Sequence, residues 1–417
     1  MKLFDKYKST FSVVLNYFLA FIKWLFFGAL TGSICGVFGS AFAKMITFVT
    51  EVRGENGWLI FLLPIGGLVT VAVFRGLKVS SVGTNQVLES VRSDKKVSFW
   101  LAPAVFVCSC ITHLLGGSAG REGAALQLGG GVSSLISRIF KLDRRSSHIL
   151  TICGMSAFFS AIFGTPLGAA IFAIEVVSVG SICPSAVFPS LVSSLTAFGV
   201  ANLLDVEAER FPLAEVVSLN VDSMWRVAAI AVVCAIVSVL FCNTLHIAEK
   251  QFKKYLKNAY LRAFVGGGLL IILTLIVNTR DYNGGGIDII HHIFTHGEVK
   301  YEAFALKILF TAVTVAAGFK GGEIVPTLFI GATLGGTLSF LVGISPAMGA
   351  AVGMAALFCG VTNCPIATIF LCSEMFGGDG IVFFAVATAI SFLLSGNVSL
   401  YSSQNLVYSK LRDEMLS

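Results

Sequence analysis

Two opposite charges in adjacent positions, Arg121 and Glu122, sit between glycines in the middle of sequence apolar enough to fill a membrane. The flanks read Leu114-Leu115-Gly116-Gly117-Ser118-Ala119-Gly120 before the pair and Gly123-Ala124-Ala125-Leu126-Gln127-Leu128 after it. In a soluble protein such a pair would be a surface turn. Composition excludes that setting: the 417 residues are 56% hydrophobic and only 12% charged, with a mean hydropathy of +0.87, so the chain is a polytopic membrane protein. At membrane depth a charge is expensive and marks a functional position. The glycines suit an irregular loop, and Glu122 to Leu128 predicts the start of a helix. A helix N-terminus presents unpaired N–H groups and a partial positive charge to whatever lies in front of it. That is an anion site, with Glu122 an anion tethered at its mouth.

Half a chain later the plan returns as Gly318-Phe319-Lys320-Gly321-Gly322-Glu323-Ile324-Val325-Pro326. Again there is a base, glycines, a Glu and an apolar helix start, and Pro326 fits a first helical turn, where its missing N–H is harmless. Glycine-interrupted segments at matching places in two halves of a membrane chain point to a binding site between repeats. The expected organisation is therefore a cytoplasmic N-terminus at 1–10, a first membrane repeat at 11–215 and a second at 216–417. Between the repeats runs a charged linker, Asp205 to Asp222.

Within each repeat, apolar runs too short or too long for one square crossing predict tilted and broken helices. Phe11 to Thr50 reads as an interfacial helix followed by a spanning one. Arg75 to Lys96 reads as a solvated loop or, from the small and polar residues around Thr84, as the start of another broken helix whose N-terminus would add to the positive potential. Ile149 to Val179 reads as two helices meeting at Phe163-Gly164-Thr165-Pro166, echoed by Gly360-Val361-Thr362-Asn363-Cys364-Pro365. Trp225 to Leu245 reads as a span followed by a polar connection from His246 to Lys257. His291-His292 falls in a polar loop without a partner.

The formal charge of +6 comes mostly from membrane-flanking Lys and Arg and does not point to nucleic acid. The ten cysteines lie mostly in apolar runs and read as small hydrophobes. Cys108-Ser109-Cys110 with His113 matches no zinc spacing, and no metal or other cofactor is expected. There is no Walker loop, nucleophile elbow or zinc-type His-Glu pair, so neither an ATP-driven pump nor an enzyme is expected.

These motifs resemble the CLC family of chloride channels and anion/proton exchangers. Gly120-Arg121-Glu122-Gly123-Ala124 is similar to the family's Gly-Arg-Glu-Gly-Pro, with Ala124 in place of Pro. Gly318 to Pro326 is similar to its Gly-Lys-x-Gly-Gly-x-Phe-x-Pro, with Ile324 in place of Phe. Gly164-Thr165-Pro166-Leu167-Gly168 resembles its Asn-Ala-Pro-Leu-Ala-Gly, and Leu400-Tyr401 the region of its inner-gate tyrosine. The resemblance implies an all-α polytopic fold of two inverted-topology repeats, assembled as a homodimer with one pathway per subunit. It places the protein in the bacterial cell membrane, surrounded by lipid bilayer. No CBS domains are expected after Tyr401.

The departures carry information too. Where the family has Gly-Ser-Gly-Ile-Pro, this chain has Gly83-Thr84-Asn85-Gln86-Val87, leaving either Thr84 or Asn85 in the place of the anion-binding serine. Where chloride exchangers carry an internal proton-transfer Glu, it has Val176, and it carries an extra Glu323 in the anion loop. This combination is similar to the fluoride/proton antiporter branch.

The expected function is therefore exchange of fluoride for protons, with a chloride channel or chloride/proton antiporter as the alternative. Glu122 is the expected gate and proton carrier: burial favours its neutral form and a helix N-terminus its charged form, so both are within reach. Glu323, when protonated, can donate a hydrogen bond to fluoride, the strongest acceptor among small halides. Thr84, Asn85, Gly123, Ile324, Val325 and Tyr401 are the expected anion-binding residues. Arg121 and Lys320 read as steering or structural charges.

Overall fold

The computed structural model describes residues 2–79, 83–93, 97–213, 217–407 and 409–411, with side chains from Val13 onward. The side chains of the expected cytoplasmic segment 1–10 and the boundary expected between residues 215 and 216 lie outside the described residues.

Up to the charged connector the described residues form eight α-helices: α1 (Lys2–Glu55), α2 (Leu63–Gly76), α3 (Thr84–Arg92), α4 (Leu101–Leu115), α5 (Glu122–Ile139), α6 (Arg144–Phe163), α7 (Pro166–Glu175) and α8 (Pro184–Leu203). After it come α9 (Val221–Tyr255), α10 (Ala259–Val277), α11 (Ile287–His296), α12 (Ala303–Ala317), α13 (Ile324–Val342), α14 (Pro346–Thr362), α15 (Pro365–Phe376) and α16 (Ile381–Leu394). The second set repeats the first element for element: a long helix, a medium one, a short one, then a helix that leads into a glycine loop.

Matched elements also end alike. α4 stops at Gly116 (φ 88°) and α12 at Gly318 (φ 95°), both in the left-handed conformation that glycine adopts without penalty. Asp143 caps α6 and Ser345 caps α14, each accepting a backbone N–H with its side chain at 3.3 Å. The closest helix packing is matched too. A Cβ on Gly129 of α5 would strike the backbone of Gly154 in α6, and one on Gly335 of α13 would strike Gly349 in α14. Small residues at such crossings let helices approach in a bilayer, where dispersion and not water exclusion drives association.

Among the described residues, seven helices are long and apolar enough to cross a membrane, and the shorter apolar ones pack among them. Leucine and phenylalanine side chains on α1, α8, α9 and α10 remain exposed, as a lipid-facing belt requires.

Two sequence expectations need correction, and of the two readings of Arg75 to Lys96 the helix is the one found. Phe11 to Thr50 is one continuous helix, α1, because Lys23 does not interrupt it: the Lys23 ammonium reaches Ser146 Oγ at 2.8 Å. Arg75 to Lys96 holds the short helix α3, whose Val87, Leu88 and Val91 are buried on one face. His246 to Tyr255 continues α9 as helix, supported by the Glu249–Lys253 pair at 2.5 Å one turn apart.

Candidate ion pathway

The two glycine loops meet. Gly120 N–H donates to Gly322 O at 2.7 Å, and Gly322 N–H donates to Gly120 O at 2.6 Å. The loops before α5 and α13 are thus a single antiparallel pair, and the two helix N-termini start side by side from it. The contact is close enough that a Cβ on either Gly123 or Gly322 would strike the other's backbone. Irregular backbone at membrane depth must find its partners inside the protein, and the same device serves both loops. Ser118 N–H donates to Thr314 Oγ1 on α12 at 3.0 Å, and Lys320 N–H donates to Thr112 Oγ1 on α4 at 3.2 Å.

Further donors brace the first loop. Asn283 Nδ2 donates to Gly116 O at 2.8 Å, and Arg53 donates to His113 O at 2.8 Å. The fully buried Lys307 donates to Gly284 O at 2.7 Å and Tyr282 O at 3.3 Å, which stiffens the loop that carries Asn283.

Glu122 opens α5 and is completely buried. Its Oε1 lies 3.4 Å from Arg121 Nε, but neither carboxyl oxygen accepts a hydrogen bond among the described residues. Arg121 is turned elsewhere, with its Nη2 donating to Glu209 Oε1 in the connector between α8 and α9. Glu323 precedes α13 and is only partly buried, because it borders a cavity of about 430 Å³. A side-chain oxygen of Glu323 lies beside Gly123, and one of Glu122 lies beside Gly120.

The cavity brings together Thr84, Asn85, Glu323 and Tyr401. Gly123, Ile324 and Val325 lie buried behind it, as does Glu122. Thr84 is the first residue of α3; its Oγ1 lies 3.3 Å from Gly123 O and accepts from Gln127 Nε2 at 3.2 Å. Asn85 Oδ1 accepts Ser403 N–H at 3.0 Å, which ties α3 to the segment that carries Tyr401. Of the two candidates, Thr84 faces the first glycine motif and Asn85 holds the tail.

The Tyr401 hydroxyl is buried and makes no hydrogen bond among the described residues. Its backbone is held from several sides. Leu400 N–H donates to Val361 O at 2.9 Å, and Ser399 O pairs at 2.8 Å with His246 Nε2, which therefore carries the proton. Toward its mouth the cavity is lined by Arg75, Lys253 and Arg262, and deeper in by Lys320. These four cations outnumber Glu249 and Glu323, and a net excess of positive charge raises the local concentration of anions. Lys320 is half-buried with its ammonium 4.6 Å from the Phe74 ring centroid.

Residues 66–396 match the voltage-gated chloride channel family. The chain belongs to this family, the CLC anion channels and transporters. A chloride/fluoride channel protein from Pseudomonas syringae pv. tomato is 31% identical over 93% of this chain and 87% of its own length. An H+/Cl− exchange transporter from Vibrio campbellii is 24% identical over 94% of this chain and 90% of its own. Among solved structures, a CLC-type fluoride/proton antiporter superposes with a TM-score of 0.89 at 29% identity, covering 92% of this chain and 98% of that one. A slow cyanobacterial Cl−/H+ antiporter gives 0.75 at 19% identity and supports the fold alone. As a CLC protein the chain is a membrane anion transporter and not an enzyme.

The CLC fold gives Glu175 a structural task. Glu175 ends α7 and accepts the N–H groups of Ile366 and Ala367, at 3.3 and 2.8 Å, at the start of α15. Glu374, near the end of α15, returns the favour to Leu167 and Gly168 at the start of α7, at 3.0 and 2.8 Å. Each helix thus caps the other, and each carboxylate meets the positive end of its neighbour's dipole.

Three residues of this region escape a sequence reading. Gln127 stands one turn after Gly123 and was a lone polar residue in an apolar run. Glu209 was one acid among several in the connector. Glu374 lay in an apolar run with no visible partner. His291 and His292 also need correction: they lie on α11 and not in a loop, and His292 Nε2 meets Glu298 Oε2 at 3.1 Å.

Proposed function

We propose that this protein exports fluoride in exchange for protons and that Glu122 is the gate of the exchange. The observation that carries this reading is a fully buried carboxyl group at a helix N-terminus whose two oxygens accept no hydrogen bond among the described residues. A carboxylate buried for structure is tied to donors, as Glu175 and Glu374 are. One without donors suits a group that alternates between states. Ionised, Glu122 takes the place of an anion at the start of α5 and closes the path. Protonated, it gives up that place and carries the proton with it.

Glu323 faces the cavity from which an anion arrives. In its neutral form it donates a hydrogen bond and does not repel the ion. The benefit is greatest for the anion that accepts hydrogen bonds most strongly, and among halides that is fluoride. Tyr401 offers a second donor from the other wall, and Thr84, Asn85 and the backbone at Gly123, Ile324 and Val325 complete the anion positions. One fluoride leaves as one proton crosses the other way. The family-level similarity to a CLC-type fluoride/proton antiporter supports this reading.

The unit that works is a homodimer in a bacterial cell membrane, with a cytoplasmic N-terminus and repeats at 11–215 and 216–417. Chloride/proton exchange is the second reading, favoured by the H+/Cl− exchange transporters among the relatives. Efflux from proteoliposomes, followed with fluoride, chloride and pH electrodes, tests both. The proposal expects fluoride efflux accompanied by proton uptake, and loss of that coupling in Glu122→Gln. Chloride moving as fast as fluoride would return the second reading.

A further inference from the structure

We propose that Glu209 is a positioning residue of the exchange: it engages Arg121 and so keeps it from closing a hydrogen-bonded pair on Glu122, which leaves the gate carboxyl able to change its charge. The inference rests on the gate reading given above for Glu122. Arg121 stands between two acids. Its Nη2 donates to Glu209 Oε1, while its Nε faces Glu122 Oε1 at 3.4 Å without a hydrogen bond. A guanidinium beside a lone buried carboxylate ordinarily forms the two-pronged pair, which is among the strongest of charged contacts. Here one prong of the guanidinium, Nη2, is already engaged by Glu209. Glu209 therefore decides how tightly Arg121 can hold the gate.

The connector is built to keep Glu209 in place. Glu209 N–H donates to Phe163 O at 3.2 Å, and Phe211 N–H donates to Met375 O at 2.8 Å. Ala208 packs directly on Gly164. The strand of connector that carries Glu209 is thus fastened to the ends of α6 and α15, beside Arg121. The Arg121 and Glu209 side chains are 10% and 14% exposed, against 1% for Glu122, so the pair lies on the solvent side of the gate.

The other charged or titratable groups near the gate have fixed partners. On α1, Arg53 is spent on His113 O. On α4, His113 Nδ1 pairs with Ser109 O at 2.8 Å. On α12, Lys307 is spent on the carbonyl oxygens of Tyr282 and Gly284. Glu323, before α13, faces the cavity. Arg121 is the cation next to Glu122 whose hold is adjustable, and Glu209 is what adjusts it.

With Glu209→Gln, Arg121 loses its anionic partner and turns to Glu122. The carboxylate is then held in place, and more acid is needed to open the gate. In proteoliposomes, with fluoride flux measured against pH, the half-maximal point moves to lower pH by about one unit, and flux near pH 7 falls about tenfold. Glu209→Asp, which keeps the charge on a shorter arm, gives a smaller shift in the same direction. It also carries the test if Glu209→Gln is not recovered folded. In a Glu122→Gln background, Glu209→Gln no longer moves the profile, because there is no carboxylate left to hold.

A Glu209→Gln or Glu209→Asp profile that overlies wild type would overturn the inference, as would a shift that persists without the Glu122 carboxyl. Failure of the underlying reading looks different. Glu122→Gln alone would then keep the wild-type pH dependence and proton coupling.

Discussion

The two glycine-loop glutamates occupy matching places, yet their surroundings differ in kind. Glu122 is sealed, with a guanidinium at ion-pair distance and no hydrogen bond. Glu323 opens on a cavity of about 430 Å³ that Arg75, Lys253, Arg262 and Lys320 also line. The loops that carry them are paired through Gly120 and Gly322, yet each carboxyl lies beside a different glycine, Glu122 beside Gly120 and Glu323 beside Gly123. In the proposed function this one architecture serves two roles: the Glu122 carboxyl blocks the path and the Glu323 carboxyl meets the ion at the cavity. The lesson is that an acid's role at a helix N-terminus depends on which donors and how much water its neighbours allow. The same chain supplies a control, since Glu175 and Glu374 are acids at helix N-termini that are fully tied down and act as caps.

The comparison can be broken most forcefully at Glu122. Glu122→Gln should abolish proton movement during fluoride transport, a loss of two orders of magnitude or more in coupled proton flux, read with a pH electrode. Gly322→Val comes next. It forces a side chain into the Gly123 backbone and parts the two loops, costing about 3 kcal/mol of stability and lowering the midpoint of thermal unfolding in detergent. Glu323→Gln should slow fluoride exchange about tenfold while leaving stability within about 1 kcal/mol of wild type, because Glu323 already borders water. An equal loss of folding in that variant would erase the distinction between the two acids.

Tyr401→Phe sharpens the cavity side. The hydroxyl has no protein partner among the described residues, so stability should hold while the fluoride concentration for half-maximal flux rises several-fold. Smallest of all is Asp143→Asn at the cap of α6. The Ser146 hydrogen bonds hold the Asp143 carboxyl below the ordinary aspartate range. Its charged contribution is therefore complete above that range and fades as pH falls through it. Asn also caps well, so thermal unfolding should differ from wild type by under about 0.5 kcal/mol at pH 7, with the difference vanishing in acid. The matching cap at Ser345 should show no such pH dependence.

Much of this was legible in the residues. Glycine clusters around Glu122 and Glu323 disclosed both loops because charge between glycines in apolar sequence has few structural uses. The break at Gly164-Thr165-Pro166 and its echo at Asn363-Cys364-Pro365 disclosed the α6–α7 and α14–α15 pairs, since proline and left-handed positions end helices in any context. What stayed hidden depended on partners far away in sequence. The length of α1 turned on Ser146 receiving Lys23. The choice between loop and helix for α3 turned on burial of a single amphipathic face, because short helices show weakly in periodicity. Glu209 and Glu374 were undistinguished acids until the fold set one beside Arg121 and the other beside the first turn of α7.

The central claim is that fluoride and proton movements are coupled through Glu122. The most direct measurement loads proteoliposomes and their bath with equal fluoride, clamps the membrane potential at zero and imposes a pH gradient alone. The account predicts that wild-type protein drives fluoride uphill, out of the compartment into which protons flow, and that Glu122→Gln does not. Fluoride that stays at equal concentration under the gradient in the wild-type protein would contradict it, and would make this a passive fluoride path.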